Sequence, residues 1–419
     1  MKKILSFAAV AGVAALATAA ASVDASARAQ RVQTHDAECS HLPADFQQQV
    51  ALAACFAPDT PLEVVQAVGE SIYGLGQRFN TGSRWPGPSV TAVTLTYSFP
   101  PDGIFLPAQF QGDSSGNNEI HARMNQLFNG ATSQWKGLIR QCFDAWENVT
   151  GNTYIEEPND DGAAWPGSGG IGGVRGDIRI VMRNIDGGSG TLAFNFFPST
   201  GDMLLDRSEN WTSSGGNFRF MRNIVMHEHG HGLGLFHTCP QFGQKLMEPG
   251  INTNFDGPQL DDIRGAHSLY GDRFEPNASA ATAVDLASMG LVPNNPFSIS
   301  TLSMHASGDQ DFFAVPSTGG VTVSATVTPT GFTYNEAPQA GNGSCPTGSN
   351  TVALEQQNLV LEVIGPDGGT VLASANVNGF GGSETLTDVN LSNVADYYVR
   401  VRSAGGTSVQ TYNITITLG

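Results

Sequence analysis

Residues 225–237 read VMHEHGHGLGLFH: four histidines, one glutamate and three glycines in an otherwise apolar stretch. On a helix over residues 224–233, His227 and His231 stand one turn apart on the same face, so two imidazole nitrogens can meet one cation. Glu228 is rotated from His227 by about 100°. From there it reaches a metal-held water without being a ligand. Gly234 comes three residues after His231, where a left-handed residue ends a helix and turns the chain back. That turn brings His237 towards the same ion from another side. Three neutral nitrogens with one open position describe a catalytic zinc rather than a closed structural one. Such an ion lowers the pKa of its water towards about 7 and polarises a carbonyl, while the carboxylate takes a proton and returns it to the leaving amine.

Local propensity opposes this reading. Gly230 and Gly232 each cost a helix roughly 0.5–1 kcal/mol relative to alanine, and His229 reads as an ordinary polar residue. Yet H-E-x-x-H-x-x-G-x-x-H specifies five positions, a match that arises by chance with probability on the order of 10⁻⁵. The metal site therefore prevails.

Upstream, residues 90–99 (VTAVTLTYSF) alternate as a strand should. Residues 122–149 carry Met124, Leu127, Trp135, Leu138, Ile139, Cys142, Phe143 and Trp146 at helical spacing, which predicts one long helix or a pair. DIRIVM (177–182) and LAFNFF (192–197) read as strands, and the glycines between 162 and 173 as loop. A short helix is expected around residues 44–54. Strands and a long helix ahead of the histidines predict an α/β or α+β catalytic unit. Beyond residue 271, strand-like runs recur at 312–316, 321–327, 359–364, 370–373, 397–401 and 412–418, the pattern of a small antiparallel sandwich.

The 419-residue chain is long enough for two globular units. Lys2 and Lys3, an apolar run from Ile4 to Ala20 and Ala25-Ser26-Ala27 form an export signal over residues 1–27, too short for a membrane anchor. With 20 Lys and Arg against 38 Asp and Glu, the net charge of −18 argues against nucleic acid or an anionic membrane as partner. The expected organisation is a pro-segment or extension over 28–85, a catalytic domain over 86–272, a linker over 273–282 and a β-sandwich over 283–419. The expected product is a secreted monomer without a membrane anchor, with polypeptides as the expected partner.

The histidine pattern is the metzincin signature, and Lys245-Leu246-Met247-Glu248-Pro249 resembles the methionine turn of the matrixin branch. Residues 94–99, Cys142–Trp146, Asp177–Ile180 and Gln259–Gly271 are similar to that family's opening strand, first helix, third strand and closing helix. The resemblance implies an α+β zincin-like domain, with a twisted mixed sheet and a zinc-binding helix. His227, His231 and His237 would hold zinc, Glu228 would act as general base, and Gly234 and Met247 would support the site. It also implies structural calcium at the Asp186-Gly187-Gly188-Ser189-Gly190 loop, with Asp206 and Glu209. Phe194 and Leu204 stand where the family's second zinc would have histidines, so that ion is expected to be absent. The C-terminal unit resembles the bacterial pre-peptidase C-terminal domain, starting near Gly308–Phe313.

Five cysteines leave at least one unpaired in an exported chain. Cys55-Phe56-Ala57-Pro58-Asp59 shares C-x-x-P-D with the family's latency switch but lacks its Pro-Arg and glycine. A disulfide with Cys39 is the favoured expectation over a metal-blocking thiol. Against the endopeptidase stand two other readings, a non-enzymatic binding or adhesion protein that uses the sandwich and a hydrolase of non-peptide amides.

Overall fold

The computed structural model describes residues 52–57, 60, 81–88 and 90–419. The expected export signal, Cys39 and most of the 28–85 extension lie outside those residues. In chain order come β1 (Leu52–Phe56), β2 (Thr94–Ser98), the short β3 (Phe105–Leu106) and β4 (Gly116–Asn117), α1 (Ile120–Leu127) and α2 (Thr132–Thr150). Then follow β5 (Thr153–Glu156), β6 (Ile178–Arg183), β7 (Thr191–Phe196), β8 (Met203–Asp206), α3 (Gly215–Leu233), β9 (Thr238–Cys239) and α4 (Leu260–Tyr270).

Six of these strands form one sheet in the order β1-β7-β8-β6-β2-β5. β8, β6, β2 and β5 run parallel, whereas β7 and β1 pair antiparallel at one end. The helical pattern upstream resolves as a pair, because Asn129 and Gly130 take positive φ and break the run between α1 and α2. α2 buries Trp135, Leu138, Ile139, Cys142, Phe143 and Trp146 on one face, and Phe143 packs on Tyr97 of β2 with ring centroids 4.5 Å apart. α3 starts earlier than its histidine pattern suggests, with an irregular entry in which Gly216, Asn217 and Phe218 have positive φ.

The helix expected around residues 44–54 needs correction where it can be seen. Leu52–Phe56 is a fully buried strand, and residues 44–51 lie outside the described residues. LAACF has fair helix propensity, but its backbone finds ladder partners on the edge of β7, and tertiary pairing overrides that preference.

Apart from two single-turn 3-10 helices (Ala280–Thr282 and Ala353–Glu355), the regular elements that follow are strands: β10 (Val284–Asp285), β11 (Phe297–Met304), β12 (Gln310–Thr318), β13 (Val321–Pro329), β14 (Thr333–Pro338), β15 (Ser349–Val352), β16 (Gln357–Ile364), β17 (Val371–Ala375), β18 (Glu384–Leu391), β19 (Val394–Gly406) and β20 (Gln410–Leu418). Two sheets, β10-β12-β19-β16-β17 and β11-β20-β13-β18, enclose one apolar cluster that includes Phe313, Val315, Leu361, Val399, Ile414 and Ile416. β11, β14, β15 and β18 carry no clear strand signal, and β18 (ETLTDVNL) is largely exposed.

The β-rich part is tied directly to the helical part. β14 pairs with β15 and, across the chain, with β9, just after His237. A disulfide joins Cys239 of β9 to Cys345. From α4, Arg264 Nε donates to the carbonyl of Val409 at 3.1 Å, and the Tyr334 hydroxyl donates to Asp261 at 2.7 Å.

Candidate active site

α3 brings His227, Glu228 and His231 into the core, all fully buried, and ends at Gly234 with φ 103°. A Cβ at Gly234 would collide with the Ser83 carbonyl, so the turn needs glycine for space as well as for conformation. Beyond it His237 returns, and the three Nε2 atoms lie 3.0, 3.1 and 3.2 Å from one another. Nitrogens bound at 2.0–2.1 Å around a tetrahedral ion lie about 3.3 Å apart, so the set fits zinc.

Each imidazole is oriented through its other nitrogen. His227 Nδ1 lies 2.6 Å from the Leu246 carbonyl, His231 Nδ1 2.6 Å from the Leu235 carbonyl, and His237 Nδ1 2.8 Å from Gln339 Oε1. Each of these three oxygens accepts Nδ1–H, which makes Nε2 the unprotonated nitrogen, the form that a metal ligand needs. Burial lowers His227 to about 4 and His237 to about 3, and pushes His231 well below its ordinary value. The rings are therefore neutral, as a cation requires.

Glu228 is buried with both carboxylate oxygens lacking a hydrogen-bond partner. Burial pushes its carboxyl well above the usual range, with the amide of Cys55 acting in the opposite direction. A desolvated acid beside three convergent nitrogens has the protonation bias of a group that accepts a proton and gives it back.

Gly230, a liability by propensity, has a packing reason. A Cβ there would collide with Met247 Sδ, so the methionine turn seats against the helix only because the side chain is missing. That turn is clamped from α4, where the Asp262 carboxylate accepts from the amides of Leu246 (2.7 Å) and Met247 (3.0 Å). His229, the fourth histidine, points away from the cluster, its Nε2 2.8 Å from the Tyr154 hydroxyl and its ring edge-on to Phe143.

β1 lies beside the histidine-bearing part of α3. It pairs antiparallel with β7 on one side. On the other, Phe56 bridges Gly250 in parallel, exchanging bonds with the Pro249 carbonyl (3.3 Å) and the Ile251 amide (3.2 Å). The Cys55 sulfur, Glu228 and His227 offer ligand atoms within 4.8 Å of one another. Cys55 is a buried free thiol, which corrects the expected disulfide with Cys39. The sequenced disulfide partners are instead Cys239 and Cys345, joined because β9 and β14 pair beside them.

Asp186, Asp206 and Glu209 come together around the 186–190 loop. Asp186 accepts from the Thr191 amide (3.0 Å), Asp206 from Ile185 (3.0 Å) and Ser208 (2.7 Å), and Glu209 from Ser189 (2.8 Å). Burial first, and repulsion among the three acids in addition, raise Asp186 and Glu209. Phe194 and Leu204 face each other across β7 and β8 as a buried apolar pair.

Two contributors escaped sequence reasoning. Asp262 lies in a stretch recognised as the closing helix, but its capping side chain doubles as the clamp of the methionine turn. Gln339, 102 residues from His237, carries no local signal, whereas Cys55, singled out in the sequence by its C-x-x-P-D setting, owes its place to strand pairing.

A family profile described as matrixin matches residues 120–271. The chain is 33% identical over 147 residues to the hatching enzyme of Paracentrotus lividus, covering 32% of this chain and 22% of that protein. It is 36% identical over 144 residues to the interstitial collagenase of Equus caballus, covering 33% and 28%. To the metalloendoproteinase 2-MMP of Arabidopsis thaliana it is 31% identical over 166 residues, covering 37% and 41%. The chain thus spans well under half the length of these relatives.

Proposed function

Residues 120–271 are a matrixin-like metzincin domain, and from that premise we propose that the chain is an exported zinc-dependent endopeptidase with Glu228 as general base. His227, His231 and His237 would hold the metal, and Gly234 and Met247 support the ligand cage. The observation that carries the reading is the convergence of three Nε2 atoms beside a buried carboxylate without a partner. When bound, zinc supplies Lewis acidity that activates water and polarises a substrate carbonyl. Glu228 takes the proton from the attacking water and delivers it to the leaving amine. Water being the nucleophile, no covalent acyl-enzyme forms.

The backbone seat supports a polypeptide substrate. The edge of β7 and the segment Pro249–Ile251 hold an extended segment between them by backbone pairing, the seat that an extended substrate would take by strand addition. Residues 52–56 fill that seat in this chain, which supports reading the extension as a pro-segment whose Cys55 thiol faces the metal position. The catalytic unit is taken as residues 86–272, joined through 273–282 to a sandwich over 283–419. Calcium is assigned to Asp186, Asp206 and Glu209, whose oxygens suit a hard cation, and the enzyme is taken as a secreted monomer.

The test is hydrolysis of a peptide library by the purified chain, with and without a zinc chelator. Glu228→Ala retains zinc but loses turnover, and unchanged turnover in that variant overturns the mechanism. A Cys55→Ser precursor cleaves without prior processing. Should it stay latent, the thiol has no part in latency.

A further inference from the structure

The turn that carries His237 leaves its helix with backbone groups to satisfy. The last four carbonyls of a helix have no partner within it, and in α3 these belong to Gly230, His231, Gly232 and Leu233. The first two accept from the amides of Leu235 (2.9 Å) and Gly234 (2.8 Å) just beyond them. The others are met from distant parts of the chain. The indole Nε1 of Trp85 donates to the Gly232 carbonyl at 2.7 Å, and the Tyr270 hydroxyl donates to that of Leu233 at 2.8 Å. The next carbonyl, of Gly234, accepts from the Gly82 amide at 2.7 Å.

Two of these three donors lie in a strap over residues 81–88, upstream of the matrixin match. The Trp85 amide also donates to the third donor, the Tyr270 hydroxyl, at 3.2 Å. The strap follows the turn along its length. Thr81 bridges Leu235 in antiparallel fashion, and Gly82 lies against the Phe236 ring, with which a Cβ would collide. The Trp85 ring is buried and fits against Gly201 only because no side chain stands there. The Arg84 guanidinium lies 4.8 Å from the centroid of the Tyr270 ring. The turn held in this way carries two groups of the histidine cluster. One is the Leu235 carbonyl, 2.6 Å from His231 Nδ1, and the other is His237 itself, two residues on.

We propose that Trp85 is a positioning residue of the metal centre, holding the 232–237 turn so that His231 and His237 meet His227 at one ion. The inference rests on reading the three histidines as a zinc site. Without the indole N–H, the Gly232 carbonyl is a buried acceptor that has lost its donor, and the turn relieves that cost by tilting away from the strap. The Leu235 carbonyl and His237 move with it. His227 stays, because the Leu246 carbonyl of the methionine turn holds it from the other side. Trp85 thus acts through the backbone of the turn, and the strap belongs functionally with the catalytic unit although it precedes residue 86.

The experiment uses the full chain loaded with zinc or with cobalt, whose visible absorption reports ligand geometry. Trp85→Phe keeps an aromatic ring and removes the donor. Its affinity for both metals, measured by chelator competition, falls about tenfold, and its cobalt spectrum at saturation differs from the parent's. Trp165→Phe removes a comparable buried bond, from Nε1 to the Arg179 carbonyl at 3.2 Å, in the cluster that holds Phe196. That variant loses thermal stability but keeps parental affinity and spectrum. If Trp85→Phe does not fold, Tyr270→Phe, which removes the donor to the Leu233 carbonyl, gives the same readout. Parental metal affinity and spectrum in the folded variant overturn the positioning role and leave the zinc site standing. An equal loss of affinity in Trp165→Phe also overturns it, since the effect would then follow stability alone. A parent chain that binds neither metal overturns the zinc reading and this inference together.

Discussion

Gln339→Leu tests whether the β-rich part helps to hold the metal. Gln339 Oε1 sits 2.8 Å from His237 Nδ1, and the amide is itself held by Nε2 donating to the Gly343 carbonyl at 2.7 Å. The pairing of β14 with β9 and the Cys239–Cys345 disulfide hold this hairpin against His237. Leucine keeps the volume and removes the acceptor, so His237 loses the bond that sets its tautomer and ring orientation. Loss of such a partner costs about 10–100-fold in metal affinity, equivalent to about 1.4–2.8 kcal/mol. Competition with a chromophoric chelator at equilibrium measures this directly, and turnover at saturating zinc separates affinity from chemistry. Gln339→Glu, which retains an acceptor at that place, keeps zinc tight. Parental zinc affinity in a folded Gln339→Leu protein refutes the argument, because the hairpin would then be a bystander.

Gly230→Ala separates packing from propensity. Helix propensity alone predicts a gain of about 1 kcal/mol, whereas the collision with Met247 Sδ predicts a loss of about 1–3 kcal/mol in urea unfolding. Asp160 forms a buried pair with Arg179 at 2.8 Å. Burial raises its carboxyl, but hydrogen bonds from Arg179 and Ser98 prevail and hold it below the ordinary value. A depressed folded pKa means this stabilisation is complete above the unfolded value of about 3.9 and is lost as pH falls through the lower folded one. Asp160→Asn therefore costs about 3–5 kcal/mol near neutral pH and loses that part of the acid dependence. An equal deficit on both sides of the window contradicts the assignment.

Much of this was legible in the chain itself. The five positions of the histidine pattern, the methionine turn and the helical spacing of Trp135 to Trp146 are local signals, because one helical turn fixes which side chains share a face. The alternating runs at 312–316 and 412–418 likewise reported buried strands. Other elements were hidden because their causes lie far away in sequence. LAACF is a strand only because the edge of β7 needs a partner, and Cys239 joins Cys345 only because β9 and β14 meet. Gln339 reaches His237 through a contact between segments that no periodicity links. Residue chemistry and spacing set what a helix can present to an ion. Which distant groups complete its surroundings is decided when the chain closes on itself, since long-range pairing and burial leave no trace in a short window.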